Sequence, residues 1–223
     1  MAGHPRSRWI FLALALATAA VCVALGCWQL RRLAARRASN AVASRMRSAA
    51  PATLSDAFVP VADARVVATG EFDLEHQFVL RGRAHDGAPG VEVATPFRVA
   101  GGSQAYVVVR GFVPSDDAIS VDLSTLREAG ARTIQGVTFA IPADADSGAP
   151  LLRNGDTSWA RLDRAAVARL PYPVAEVAVW QEKDSTTSPV PIRIGPPALS
   201  DGPHLNYALQ WFGFAIIFAG GGI

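Results

Sequence analysis

His204-Leu205-Asn206-Tyr207-Ala208-Leu209-Gln210-Trp211-Phe212-Gly213-Phe214-Ala215-Ile216-Ile217-Phe218-Ala219-Gly220-Gly221-Gly222-Ile223 closes a chain of 223 residues. From Tyr207 onward it carries no charge, and Gln210 is the single amide side chain of that part. The stretch is entered through Ser200-Asp201-Gly202-Pro203, where an Asp or Ser N-cap and a Pro near the first helical position announce a helix start. His204 therefore stands on the first turn of an apolar helix. A matching stretch lies near the start: Trp9 to Trp28 holds twenty uncharged residues. At about 1.5 Å per residue it reaches across the roughly 30 Å hydrocarbon core of a bilayer. Two membrane anchors with a folded region hung between them is the architecture these stretches predict.

The expected order is a tail at 1–8, a transmembrane helix at 9–28, a helical extension at 29–50, a β-rich extramembrane domain at 51–203 and a second transmembrane helix at 204–223. The middle is long enough for one domain with its own core. Half of the residues are hydrophobic and the mean hydropathy is positive, which favours membrane attachment. A net charge of +2, with no basic patch interleaved with aromatics, excludes nucleic acid as the partner class. Both cysteines, Cys22 and Cys27, sit in the first span. Five residues apart on a helix they point about 140° from each other, wrong for a bridge or a shared metal.

A cleaved signal peptide is the rival reading of the first stretch, since Arg6 and Arg8 precede an apolar run ending in Ala24-Leu25-Gly26-Cys27. The run is long for that, and its helical pattern continues unbroken through Gln29-Leu30-Arg31-Arg32-Leu33-Ala34-Ala35-Arg36-Arg37, so a retained anchor is favoured. Orientation by charge is awkward. Arg31, Arg32, Arg36, Arg37, Arg45 and Arg47 follow the span, which by the positive-inside rule would hold the central domain in the cytoplasm.

Between the anchors the pattern is mostly strand. Ala64–Phe72 and Gln77–Arg81 are β-branched or aromatic runs four mostly polar residues apart and read as a hairpin. A Gly-rich loop from Gly82 to Gly90 leads to Val91–Phe97, and Gly101-Gly102 turns into Ala105–Arg110. Arg132–Ile141 and Val174–Trp180 complete the set, with a short amphipathic helix around Asp163–Leu170 and a loop at Asp184–Pro189. Closely spaced strands imply a predominantly antiparallel sheet or small barrel.

Catalytic signatures are absent: no G-x-S-x-G, H-E-x-x-H, C-x-x-C, G-x-x-x-x-G-K or G-x-G-x-x-G occurs. His76 and His85 lie near Glu75 and Asp86, but in expected turns, where surface residues are the better reading. His204 differs, because Tyr207, Ala208 and Trp211 follow it at helical spacing on one face. Such a face suits a flat apolar macrocycle, with the neutral imidazole as axial iron ligand. It equally suits an interfacial aromatic belt, in which His, Tyr and Trp sit at headgroup level. Gln210 is expected to face another helix rather than lipid.

Gly26-x-Trp28-Gln29-x-x-Arg32, Gly90 with Thr95-Pro96-Phe97, Val108-Val109-Arg110-Gly111-Phe112-Val113-Pro114 and His204-Leu205-x-Tyr207-Ala208-x-Gln210-Trp211-Phe212 together resemble the Surfeit-locus-1 family of cytochrome c oxidase assembly factors. The resemblance covers both anchors and much of the sheet in order, and the closing motif is its most specific part. Two positions depart from the family's Asn-Arg-Gly-Trp-Val-Pro strand: Val109 stands for the Asn and Phe112 for the Trp. Relatives also continue past the second span into a basic tail, whereas this sequence stops at Ile223.

The resemblance implies two transmembrane helices in the bacterial plasma membrane, both termini in the cytoplasm and the β domain on the outer face. That is preferred to the charge rule, because arginine after the Trp-Gln pair belongs to the family's own pattern. It further implies a protein that is not an enzyme, that binds haem a and assists its insertion into oxidase subunit I, with subunit I and the haem a biosynthetic enzymes as partners. Carried over, His204 becomes the iron ligand and Trp211 and Tyr207 its neighbours, while Arg31 or Arg32 pairs with the haem propionates unless they simply snorkel. A haem-free scaffold for oxidase subunits and a membrane-tethered exported enzyme are the alternatives.

Overall fold

The computed structural model describes residues 5–221 apart from 144–147, 154 and 186, with side chains from residue 8 onward. His4, the last two residues of the closing stretch and Thr186 of the expected loop lie outside them. In chain order the helices are α1 (Pro5–Ser48), α2 (Arg164–Val167) and α3 (His204–Gly221). The strands are β1 (Ala52–Thr53), β2 (Arg65–Phe72), β3 (Phe78–His85), β4 (Ala88–Val99), β5 (Ala105–Pro114), β6 (Arg132–Ala140), β7 (Leu151–Arg153), β8 (Asp156–Trp159) and β9 (Val177–Gln181). The chain forms two compact units, Met1–Ser44 with Ala198–Ile223 and Arg45–Pro197.

In the helical unit α1 runs unbroken because Ala, Leu and Arg dominate it and no proline follows its first position. It is the one described helix long and apolar enough to cross a membrane. α3 starts at His204 as expected, but His204, Asn206 and Gln210 dilute its 18 residues. Of the two expected spans, α1 alone has the length and composition for one among the described residues. Along α1 the buried positions Ala15, Ala19, Cys22, Gly26 and Leu33 advance mainly by fours and threes, and α3 answers with Ala208 and Ala215. Such a seam lets two helices pack closely. Gln29 meets His204 and Gly26 meets Phe212, so the pair is antiparallel. Cys22 is buried in the seam and Cys27 exposed, pointing apart as their spacing requires.

The strand order is β1-β2-β6-β9-β5-β4-β3-β8-β7, and β2 also pairs with β4. That extra pairing closes β2, β6, β9, β5 and β4 into a five-strand ring, so the expected small barrel is present. Only β1–β2, β3–β8 and β5–β9 are parallel, and the sheet is predominantly antiparallel. Val66, Ala68 and Phe72 of β2 pack with Phe97, Tyr106, Val108, Ile134, Val177 and Val179 in the largest buried cluster. Phe72 and Phe97 meet edge-on at 5.1 Å, a contact worth about 0.5–1.5 kcal/mol beyond its buried area. The opposite faces of β5 and β9 are also covered: Val107, Val109 and Ala178 pack against Trp159, Leu162 and Ala166. Val109, where the family has Asn, is thus an apolar side chain in an apolar place.

Two local expectations fail. β2 and β3 do not form a hairpin, because β2 pairs with β6 along its length while β3 pairs with β4 and β8. The supposed loop Gly82–Gly90 is itself the hairpin: β3 continues to His85 and β4 begins at Ala88, around Asp86 and Gly87 at φ of 50° and 81°. Asp-Gly with both residues at positive φ is the two-residue turn whose twist suits paired strands. α2 is shorter than Asp163–Leu170, and Asp163 is its cap, accepting from the Ala166 N–H at 2.9 Å. Asp163→Ala is expected to cost about 1 kcal/mol, the loss of a helix cap, measured as a lower denaturant midpoint.

Candidate functional site

In the helical unit, His204 Nδ1 lies 2.9 Å from Gln29 Oε1. An amide oxygen only accepts, so Nδ1 carries the hydrogen of this bond, and it is Nε2 that holds the lone pair whenever the ring is neutral. Gly202, at φ 70°, leaves space beside that nitrogen; a Cβ there would stand 3.7 Å from Nε2. His204 also borders an open cavity of about 360 Å³ shared with Arg32, Ala35, Arg36, Ser39 and Gly202. Gln29, Arg32 and Arg36 advance along one face of α1 by three and four. The entry to α3 is tied to that face. Arg36 Nε and Asn40 Nδ2 both donate to the Ser200 carbonyl at 3.0 Å, and Arg37 pairs with Asp201 at 2.8 Å.

The three residues singled out from the sequence separate here. His204 lines the cavity; Tyr207 is exposed, and Trp211 turns to Phe214, their rings 6.0 Å apart. Gln210 is exposed too, contrary to the expectation that it faces another helix, because the seam passes through Ala208 and Ala215. Of the two arginines considered, Arg32 reaches the cavity, its guanidinium also lying over the Trp28 ring at 5.9 Å, and Arg31 does not. Gln29 and Arg36 were missed. Their spacing from Arg32 was the signal, a polar stripe continuing the face of an apolar helix.

The β unit holds the other titratable groups. His76 meets Asp73 rather than Glu75, at 2.9 Å, and the Tyr172 hydroxyl donates to the same Asp73 oxygen at 2.7 Å. Burial alone would raise the Asp73 carboxyl, but the bonds from Tyr172 and His76 outweigh it and hold it below the usual range. Burial and that carboxylate push the Tyr172 phenol up, the reverse of an activated nucleophile. His85 has only the exposed Asp86, at 3.5 Å, as an acidic partner. A cleft of about 630 Å³ has an apolar floor of Leu80, Val109 and Leu162 beside the stacked Phe139 and Trp180 rings. Among the described residues no group of three or more His, Cys, Asp or Glu can hold a metal ion.

Arg110 is the most deeply buried charge. It is the extra residue of a bulge in β5, since Gly111 pairs with Val93 and Val109 with Ala94. Its side chain lies on the face of Tyr106 and Val108, 5.1 Å from the Phe72 ring, and meets Glu128 at 3.1 Å. Glu128 also receives Arg193 at 2.7 Å and, through its other oxygen, Arg132. Arg110 donates to the Leu126 carbonyl at 2.6 Å, and Arg193 to the Pro191 carbonyl at 2.6 Å. Burial would raise Glu128, but Arg193 and Arg110 overcome it and hold the carboxyl below its ordinary value.

The chain thus combines a closed five-strand domain with one described helix long and apolar enough to cross a membrane, and a histidine and two arginines border an open cavity at the start of a second helix. The chain belongs to the SURF1 family, whose model matches residues 16–216. Membership implies a role in the assembly of cytochrome oxidase and is consistent with a membrane location. No curated protein matches the sequence as a relative.

Proposed function

We propose that this protein carries haem a as cargo during assembly of cytochrome c oxidase and presents it for insertion into subunit I, acting as a non-enzymatic chaperone that receives haem from its biosynthetic enzymes. The observation that carries this reading is the His204–Gln29 bond at 2.9 Å, which leaves the imidazole Nε2 free beside Gly202. A neutral imidazole with its other nitrogen hydrogen-bonded is the form that ligates haem iron. Arg32 and Arg36 offer two guanidiniums at the same cavity, a match in number and charge for two propionates. One histidine, with no second His, Cys or Met lining the cavity among the described residues, favours a complex that holds and releases. Tyr207 and Trp211, exposed or turned to Phe214, belong to an aromatic belt. In this reading α3 crosses the bilayer together with α1, the protein sits in the bacterial plasma membrane and the β domain lies on its outer face.

The test is the absorption spectrum of the detergent-purified protein co-expressed with the haem a biosynthetic enzymes, wild type beside His204→Ala. The wild type is expected to show Soret and α bands that the variant loses, while the variant stays inserted and folded. Gln29→Leu should keep the ligand but weaken haem retention about 10–100-fold, the usual effect of removing the group that orients a metal-binding histidine. Two colourless, well-folded samples would overturn haem carriage and leave the haem-free scaffold, recognised by co-purification with subunit I.

A further inference from the structure

The β domain's cleft of about 630 Å³ has no part in haem carriage at His204, since none of its residues borders that cavity. Its wall comes from neighbouring strands, and their register explains why it is aromatic. Trp180 of β9 pairs with Val137 of β6, so Phe139, two residues along β6, shares its face and meets it diagonally, the rings 3.9 Å apart at 23°. Val109 of β5 pairs with Trp180 from the other side and continues the apolar surface. Both rings are half-buried, which leaves apolar area that a ligand can take from water. The volume falls in the range of about 300–1,000 Å³ typical of small-molecule sites, which are likewise mostly apolar with a few polar groups.

Three charged side chains line the cleft, and they do not cancel. Arg83 donates from Nε to Glu92 at 2.9 Å, and these two form a neutral pair. Arg161 is exposed and has no ion-pair partner among the described residues. Two cations against one anion leave a single positive charge, carried by Arg161. No His, Cys or Met lines the cleft among the described residues, so it is no second site for haem iron.

We propose that this cleft binds a small aromatic carboxylate, its ring against the Phe139 and Trp180 surface and its charge on Arg161. Aromatic neighbours favour a flat ring over an aliphatic chain. One net positive charge favours a monoanion over a dianion, and the planar guanidinium favours a carboxylate over a halide.

The experiment titrates the full chain in phosphatidylcholine nanodiscs with 2-naphthoate by isothermal calorimetry, with empty nanodiscs as the blank and 2-naphthamide as the neutral analogue. The acid is expected to bind saturably and more tightly than the amide, and its advantage should shrink as sodium chloride screens the exposed guanidinium. Arg161→Gln should weaken naphthoate about fivefold, the upper range for an exposed ion pair, and leave naphthamide unchanged. Ala140→Trp puts an indole at an exposed position of the lining, where it fills the cleft, and should abolish binding of both while leaving the unfolding midpoint in place. The proposal is overturned by heats no larger than the blank, by acid and amide binding the wild type alike, by an Arg161→Gln variant that holds the acid as the wild type does, or by a folded Ala140→Trp variant that still binds both. Haem spectra are unaffected by either substitution, so this site and the His204 site stand or fall separately.

Discussion

Glu128→Gln is expected to destabilise the β domain by about 3–5 kcal/mol, the cost of leaving buried charges without their counterion. The substitution keeps the shape and removes the carboxylate that Arg110, Arg132 and Arg193 share. Arg110 has the least alternative. Its side chain is fully buried, its other close partner is the Leu126 carbonyl, and burial already lowers its pKa. The neutral amide keeps one acceptor oxygen where the carboxylate has two, and its NH2 offers hydrogens to guanidiniums that need acceptors. Arg193 also ties the segment around Pro191 to this cluster, so that strap should loosen first.

The pH dependence has a definite sign. Glu128 titrates lower in the folded chain than its ordinary value. Its contribution is therefore complete above the unfolded pKa, about 4.3, and disappears as pH falls through the lower folded value. Denaturant unfolding of the full chain at neutral pH should give the variant a clearly lower midpoint, and the gap should close on acidification. Equal midpoints at neutral pH would mean that the arginines find other compensation.

The strands were legible in the sequence because β-branched and aromatic runs announce themselves locally; Ala105–Arg110 lies inside β5, and Arg132–Ile141 nearly coincides with β6. Their pairing was not, because it depends on which faces are buried. Asp73 shows why β2 does not turn back on itself: its N–H donates to the Pro96 carbonyl at 2.8 Å, and its side chain accepts from the Glu75 and His76 N–H groups. The chain is steered toward β4 before any hairpin can close. Conversely, Asp86-Gly87 is a hairpin signal hidden by the glycines on either side of it.

The site divides in the same manner. His204 was readable from its own neighbourhood, a helix start after Gly202-Pro203. Gln29 and Arg36 are 175 and 164 positions from their partners His204 and Ser200, and no local pattern joins them. The arginine cluster was illegible for the same reason. Counting by twos does put Arg110 on the face of Tyr106 and Val108, beside Phe72, but nothing local names its counterion, and Arg193 lies 65 positions from Glu128.

Gly26→Leu is expected to abolish haem retention while leaving the β domain folded. Gly26 is buried in the seam of the helix pair, and even a Cβ there would come within 2.6 Å of the Phe212 ring. A leucine cannot share that space, so either the ring leaves or α1 and α3 move apart, at about 1–3 kcal/mol for an overpacked contact. The consequence reaches the site because Gln29 is one turn further along α1, and its 2.9 Å bond to His204 tolerates little displacement of the helices. Without that bond the imidazole is free to turn and take the other tautomer, and Arg32 and Arg36 no longer face it in register. The haem spectrum reads the loss, and denaturant unfolding shows whether the β domain keeps its stability. The double variant Gly26→Leu with Phe212→Ala exchanges the volumes and should recover much of the haem, a coupling between neighbours that independent sites would not show. Undiminished haem in the single variant would mean that the register of the two helices does not position His204.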